Sequence, residues 1–97
     1  MAKNTRVGTT ISVGHNSPEG VPHGHSYEVW AKFVAGFDAR DLLDRLTSVT
    51  KPLDHTFLPD TLRFGEDLAE YIGLQLDGCV EVEVRRPLER IEATWTP

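Results

Sequence analysis

Two runs near the start of the chain alternate between apolar and polar positions. The alternate residues of the first run are Val7, Thr9, Ile11 and Val13, with His15 continuing the row. Those of the second run are His23, Tyr27, Val29, Ala31 and Phe33. A period of two is typical of a β-strand with one buried face. Because residues 16–22 (NSPEGVP) are rich in turn formers, we predict that the two strands form an antiparallel hairpin.

The apolar spacing becomes helical in two later segments. The first contains Leu42, Leu43, Leu46 and Val49, and the second contains Phe64, Leu68, Ile72 and Leu76. We predict that the first helix has Asp38 as its N-cap and ends at Lys51-Pro52. The second is expected to end near Asp77-Gly78. Alternation then returns at residues 80–84 and 91–95, which predicts two more strands.

The predicted order of elements is ββααββ, in one domain that spans residues 1–97. A chain of 97 residues has room for one hydrophobic core. We expect an α+β fold in which two helices cover one face of a four-stranded, mainly antiparallel sheet, since this arrangement buries both apolar helix stripes. A domain of this size buries about two thirds of its unfolded surface, so we also expect it to associate with further copies of itself.

Composition narrows the classes of partner. The chain carries 15 acidic and 10 basic residues, a net charge of −5, and its longest basic run is Arg85-Arg86, so we expect no nucleic-acid partner. The longest apolar run, residues 33–37, is too short for a bilayer span, and the start MAKNTR lacks the apolar core of a signal peptide. We therefore expect a cytoplasmic protein without a membrane partner. The single cysteine, Cys79, agrees with a reducing compartment and is expected to be a small buried residue.

Three of the four histidines, His15, His23 and His25, lie within eleven residues. Residues two apart on a strand point the same way, so His23 and His25 share a face, with Cα atoms about 6.6 Å apart. A hairpin closed by residues 16–22 places His15 opposite His23 on that face. Three neutral imidazoles without a fourth protein ligand are typical of catalytic zinc, which keeps one position open. The sequence therefore predicts a Zn2+ site, and the alternative is a group of surface or hydrogen-bonded histidines.

Four segments, taken in order, resemble the family of 6-pyruvoyl-tetrahydropterin synthase and 6-carboxytetrahydropterin synthase. HGHSYEV (23–29) looks like the family's zinc-binding HGH-x-Y segment, and ISVGH (11–15) looks like the segment of its third zinc histidine. PLDHTFLPD (52–60) is similar to the LDH-x-x-LN element, and EDLAEYI (66–72) is similar to the E-N-L-A opening of the second helix. The resemblance covers nearly the whole chain.

This resemblance implies a T-fold that assembles into trimer rings or hexamers, with active sites at subunit boundaries. It also implies a zinc-dependent lyase that acts on 7,8-dihydroneopterin triphosphate, most like 6-carboxytetrahydropterin synthase, and with it a place in queuosine biosynthesis. Zinc would act as a Lewis acid on hydroxyls of the pterin side chain. By position, Asp54 and His55 match the family's pair of proton-transferring residues.

Two positions depart from the family's pattern. Glu19 stands where the carboxy-forming enzymes have a catalytic cysteine, four residues before HGH. It is our candidate general base, and the alternative is a solvated loop acid. Relatives with a glutamate three residues before HGH form a 6-hydroxymethyl dihydropterin, but that position is Gly20 here. Arg86 stands where the family has its pterin-anchoring glutamate, and an arginine cannot accept the N–H donors of a pterin edge.

The candidate substrate-binding residues are Arg86, the nearby Glu83, and Glu66 at the start of the second predicted helix. One alternative function is a non-catalytic T-fold protein that binds zinc and a pterin- or purine-like ligand. Another is an enzyme for a non-pterin triphosphate or other acidic small molecule, for which Arg85, Arg86 and Arg90 would supply charge.

Overall fold

The two alternating runs form one long hairpin, as predicted. The structure is a computed structural model that describes residues 3–97. In it, β1 (Asn4–Asn16) and β2 (Pro22–Val34) are 13 residues each and pair antiparallel. Their register places His15 opposite His23, which confirms the pairing expected from the length of the turn.

Over residues 3–97 the sheet has five strands, so the prediction of four was wrong. β4 (Cys79–Arg86) pairs antiparallel with β2, and β5 (Ile91–Trp95) pairs antiparallel with β4. The additional strand, β3 (Thr56–Phe57), runs parallel to β1 at the edge of the sheet. The full order is β3-β1-β2-β4-β5, a mixed sheet.

Side-chain patterning misses β3 because a strand of two residues has no visible period. Backbone hydrogen bonds hold this segment in place. The amide of His55 donates to the carbonyl of Ser12 at 2.6 Å, and the amide of Leu58 donates to that of Gly14 at 2.7 Å. The loop after the first helix is thereby attached along the strand that carries His15, which brings the Asp54-His55 segment to the edge of the hairpin.

The first helix, α1 (Ala39–Thr50), has the predicted boundaries. The carboxylate of Asp38 accepts a hydrogen bond from the backbone N–H of Arg40 at 2.8 Å, which satisfies one of the free donors at the helix start. The prolyl ring of Pro52 follows in a short 3₁₀ turn. The helix packs on β1.

The second helix, α2 (Gly65–Gly73), ends several residues earlier than predicted. Gly73 lies against the indole of Trp95, where a Cβ would approach the ring to 2.1 Å, so β5 meets the helix closely at this residue. The chain then continues in tight turns, with the amide of Leu76 donating to the carbonyl of Gly73. Leu76 is still buried, which explains why its spacing resembled a longer helix.

Both helices lie on one face of the sheet, as predicted. The largest fully buried side chains come from the helices, the sheet and one loop: Phe33, Leu42, Leu46, Leu58, Leu68, Ile72, Val29, Val82 and Thr50. Cys79 is buried as expected, and burial raises the pKa of its thiol. Within residues 3–97, no helix has the length and apolar character needed to cross a membrane.

Candidate metal centre and its surroundings

Three imidazole rings meet at the turn end of the β1–β2 hairpin. The centroid of the His15 ring lies 4.4 Å from that of His23 and 4.9 Å from that of His25, and the last two are 4.7 Å apart. One ligand atom from each ring lies within 4.8 Å of the others. The strand register therefore brings the three predicted metal ligands together.

The hydrogen bonds of two rings leave their Nε2 atoms free to bind a metal. His15 Nδ1 is 3.2 Å from the carbonyl of Asn16, and His23 Nδ1 is 3.3 Å from that of Val21. A carbonyl only accepts, so each Nδ1 carries the proton and each Nε2 keeps a lone pair. His15 Nε2 is buried and has no hydrogen-bond partner within the part of the chain that the structure describes. A buried nitrogen acceptor is suited to bind zinc when a hydrogen bond to a backbone carbonyl orients its ring in this way.

Burial and nearby positive charges favour the neutral form of two of these rings, His15 and His25. Burial lowers the pKa of His15, which is 7% exposed, and the charges of Arg86 and Arg63 act in the same direction. Burial also lowers the pKa of His25, again with a contribution from Arg86. Only a neutral imidazole can donate its lone pair to a metal, so the residues present fit a three-histidine zinc centre with an open position.

Arg86 lies directly against this centre. Its Nη1 atom is 3.0 Å from His25 Nε2, and its Nε atom is 3.2 Å from a carboxylate oxygen of Glu89. The other oxygen of Glu89 is 3.7 Å from His25 Nδ1. The same Nη1 atom is 3.3 Å from His25 Nδ1, so the guanidinium lies against both ring nitrogens, and zinc binding at His25 would compete with this contact.

A cavity of about 340 Å³ opens beside the histidines, between the hairpin and the start of α2. Its wall includes His15, His23, Tyr27, Arg63, Glu66 and Arg86. Burial raises the pKa of Tyr27, so its hydroxyl stays protonated. The structure therefore brings two of the predicted substrate-binding residues, Glu66 and Arg86, to one cavity with the metal ligands.

Asp54 and His55 form a pair at the other edge of the hairpin. One carboxylate oxygen of Asp54 accepts from the amide of Ser12 at 2.8 Å, and the other lies 3.0 Å from His55 Nδ1. The hydrogen bond from Ser12, together with the charge of His55, lowers the pKa of Asp54. The His55 side chain is 81% exposed and its φ is 60°, a left-handed conformation that costs a non-glycine residue about 1–2 kcal/mol.

This pair faces a different space from the 340 Å³ cavity. His55 lines an open depression of about 690 Å³ together with β3 and with hairpin residues that include His23 and His25. Between His55 and the three clustered histidines, the structure of residues 3–97 gives no direct hydrogen bond.

Glu19 lies in the exposed hairpin turn. The turn is closed by hydrogen bonds from the Ser17 amide to the Val21 carbonyl at 2.9 Å and from the Gly20 amide to the Ser17 carbonyl at 2.8 Å. Among the described residues, Glu19 is absent from the walls of both cavities beside the histidines. This candidate base is therefore close to the metal ligands in sequence, but in the structure it lies outside the metal centre.

Glu83 lies on the sheet face that points away from the helices. It alternates with the core residues Val82 and Val84, and its carboxylate pairs with Arg6 at 2.5 Å and with Arg85. Burial alone would raise the pKa of Glu83, but the hydrogen bonds and charges of these two arginines hold it below its ordinary value. The carboxylate is committed to a structural ion-pair network in this chain.

Replacing Glu83 by glutamine is expected to lower the free energy of unfolding by about 1–3 kcal/mol at neutral pH, because two arginines lose a partly buried partner. The folded pKa of Glu83 lies below its unfolded value of 4.5. The stabilisation is therefore complete above that value and is lost as the pH falls through the folded pKa. Urea unfolding at neutral and acidic pH measures this, and the two proteins should converge in acid.

The matched control is Glu81→Gln on the same strand. Glu81 has one lysine partner, Lys32, at 3.4 Å, and a pair of this kind contributes about 0–1 kcal/mol. Equal losses in the two variants, or a Glu83→Gln effect that persists unchanged in acid, would contradict the assignment of Glu83 to a stabilising network.

Sequence reasoning missed Arg63. It follows a 3₁₀ turn (Asp60–Leu62) and precedes α2, so no periodic pattern marks it. Its position in the cavity wall depends on how that turn joins the helix start to the hairpin. A basic residue next to a predicted helix start was the only available signal, and it is a weak one.

Comparison with known proteins gives a structural match. No protein-family model matches the chain. No curated protein matches it either. Among solved structures, the 6-pyruvoyl tetrahydropterin synthase of Caenorhabditis elegans superposes with a TM-score of 0.81, over 100% of this chain and 96% of that one, at 15% sequence identity. At this identity the likeness establishes the fold: the chain has the α+β T-fold of a 6-pyruvoyl tetrahydropterin synthase.

Proposed function

We propose that this protein is a zinc-dependent lyase of the pterin synthase type, acting on 7,8-dihydroneopterin triphosphate and most like 6-carboxytetrahydropterin synthase. The observation that supports the proposal is the meeting of three imidazoles, His15, His23 and His25, beside a cavity in this fold. These three residues would hold Zn2+. A bound zinc ion supplies Lewis-acid polarisation of a substrate hydroxyl.

His55 is suited to move the protons of this reaction. Asp54 fixes its Nδ1 proton, which leaves Nε2 free to accept a proton from the substrate and to return it to the leaving group. A non-glycine residue held in a left-handed conformation is often found at functional sites, because the strain is tolerated where it positions a group.

We propose that this pair serves the metal centre of a neighbouring subunit. His55 is exposed at the β3 edge of the sheet, where a second chain could reach it, and it is absent from the wall of the 340 Å³ cavity. Assembly into a ring or hexamer would bring such an edge against another copy. The small size of the domain is a further argument for oligomerisation.

Glu19 is the proposed general base, in the position of the family's cysteine. A carboxylate can remove a proton where a thiolate would act, although it cannot provide the same nucleophile. In the exposed turn it reaches a substrate only if the turn folds inward or a second subunit covers it. The exposure of Glu19, together with the contact of Arg86 to His25, favours the second candidate function: a T-fold protein that binds zinc and a ligand without turnover.

The proposal is tested by incubating zinc-loaded protein with 7,8-dihydroneopterin triphosphate and identifying products by mass spectrometry. We expect release of triphosphate and a shortened or rearranged pterin side chain. The product mass distinguishes the 6-carboxy from the 6-hydroxymethyl outcome. Glu19→Gln is expected to keep its zinc and lose turnover by about 10²–10⁴-fold.

Two results would count against this function. An absence of turnover with zinc bound stoichiometrically would favour the binding protein. Turnover that is unaffected by Glu19→Gln would remove Glu19 from the mechanism while leaving the metal chemistry in place.

A further inference from the structure

Two guanidinium groups line the 340 Å³ cavity beside the metal centre, those of Arg63 and Arg86. The Nε atom of Arg63 is buried without a hydrogen-bond partner. Within residues 3–97, no carboxylate forms an ion pair with Arg63, whose guanidinium instead lies 5.1 Å from the centroid of the Phe64 ring. A buried donor without an acceptor is costly in a folded protein, so a ligand acceptor would find a prepared partner there.

Arg86 is only partly neutralised. Its Nε atom pairs with Glu89, whose side chain is half exposed, and its Nη1 atom contacts a neutral ring nitrogen of His25. An imidazole lone pair is a weaker partner for a guanidinium than an anion is, because charge-assisted bonds are about twice as strong as neutral ones. An anionic ligand would therefore compete with His25 for Arg86 and draw the guanidinium away from the ring.

The acidic residues of the same wall do not cancel this charge. Glu92 turns its carboxylate to Arg85 on the other sheet face, at 3.3 Å. Glu66 is exposed at the cavity rim, where water screens its charge. The interior between the hairpin and α2 thus presents two fixed cations.

We infer that this cavity is an anion subsite, in which Arg63 and Arg86 bind a phosphate or carboxylate group of the ligand next to the metal. A guanidinium group can donate two hydrogen bonds to two oxygens of one carboxylate or phosphate. The edge of a pterin ring offers N–H donors, which neither arginine can accept. The two arginines therefore favour the acidic end of the ligand over the N–H donors of its ring in the space beside the metal. The inference rests on the proposed function for the metal and the substrate, while anion binding itself requires no turnover.

The test is a titration of the metal-free protein with inorganic pyrophosphate, followed by calorimetry and by NMR. Arg63→Met and Arg86→Met are each expected to weaken binding by about 10- to 100-fold. Arg40→Met is the matched control, since Arg40 is exposed on α1 outside the cavity, and it should bind as the unaltered protein does. A parallel titration with malonate distinguishes a carboxylate subsite from a phosphate subsite.

The NMR arm needs no variant and guards against a variant that does not fold. In the unaltered protein, pyrophosphate should shift the side-chain Nε–H signals of Arg63 and Arg86. The inference is overturned if those signals stay in place, if both methionine variants bind normally, or if Arg40→Met loses as much affinity as they do. Anion binding without pterin turnover would support this subsite and contradict the proposed reaction. Pterin turnover without arginine-dependent anion binding would support the proposed reaction and contradict this subsite.

Discussion

Replacing His23 by alanine is expected to remove stoichiometric zinc from the protein, with a loss of affinity of more than about 100-fold. Loss of a group that merely orients a metal ligand costs about 10- to 100-fold, so loss of a ligand costs more. His23 is the most exposed of the three clustered histidines, and its removal therefore leaves the core intact. The zinc content after gel filtration, together with competition against a chromophoric chelator, measures the effect.

The control for this prediction is His55→Ala. His55 is also an exposed histidine, but it lies at the β3 edge and outside the three-ring cluster. It should retain a full equivalent of zinc. If His55→Ala loses zinc as His23→Ala does, or if His23→Ala still binds one equivalent tightly, then the three rings are not the metal centre.

The metal cluster was predictable because strand geometry is nearly rigid. A period of two places His23 and His25 on one face, and a hairpin closed by residues 16–22 places His15 opposite His23, which is the register observed. The helix positions followed in the same way from apolar spacing and from Asp38 as a cap. A helix or strand with one buried face requires apolar residues at a regular spacing, so its position can be predicted from the sequence.

Other parts of the site depend on contacts that leave no repeat. β3 is held by backbone hydrogen bonds, which almost any residue can make, so its sequence shows no pattern that predicts a strand. The contact of Arg86 with His25 depends on a 3₁₀ turn (Pro87–Glu89) that brings Glu89 back against the ring. Glu83 was selected for its position in sequence alone, whereas its carboxylate faces the far side of the sheet and binds two arginines.

The edge position of the Asp54-His55 pair has a consequence for assembly. Hydrogen bonds from the amides of His55 and Leu58 attach this segment to β1, and the His55 imidazole is exposed at the open edge of the sheet. A neighbouring copy that covers this edge would meet the imidazole with both bonds intact. An active site shared by two chains therefore requires no rearrangement of the segment.

Co-expression of two inactive variants, His23→Ala and His55→Ala, is expected to recover activity. His23→Ala lacks a metal centre but keeps the proton relay, and His55→Ala keeps the metal but loses about 10²–10⁴-fold in turnover. When the two are co-expressed, some boundaries combine an intact metal centre from one chain with an intact relay from the other. Turnover of 7,8-dihydroneopterin triphosphate by the purified mixed oligomer measures the recovery.

The control mixture combines His23→Ala with His25→Ala. Each of these chains lacks the same metal centre, so no arrangement of the two restores a complete site, and the mixture should stay inactive. Mixed oligomers of His23→Ala and His55→Ala that are verified by mass spectrometry yet remain inactive would place the relay and the metal centre in one chain. Recovery confined to the first mixture would require that His55 reach across a boundary, because neither chain alone then contains both halves of the site.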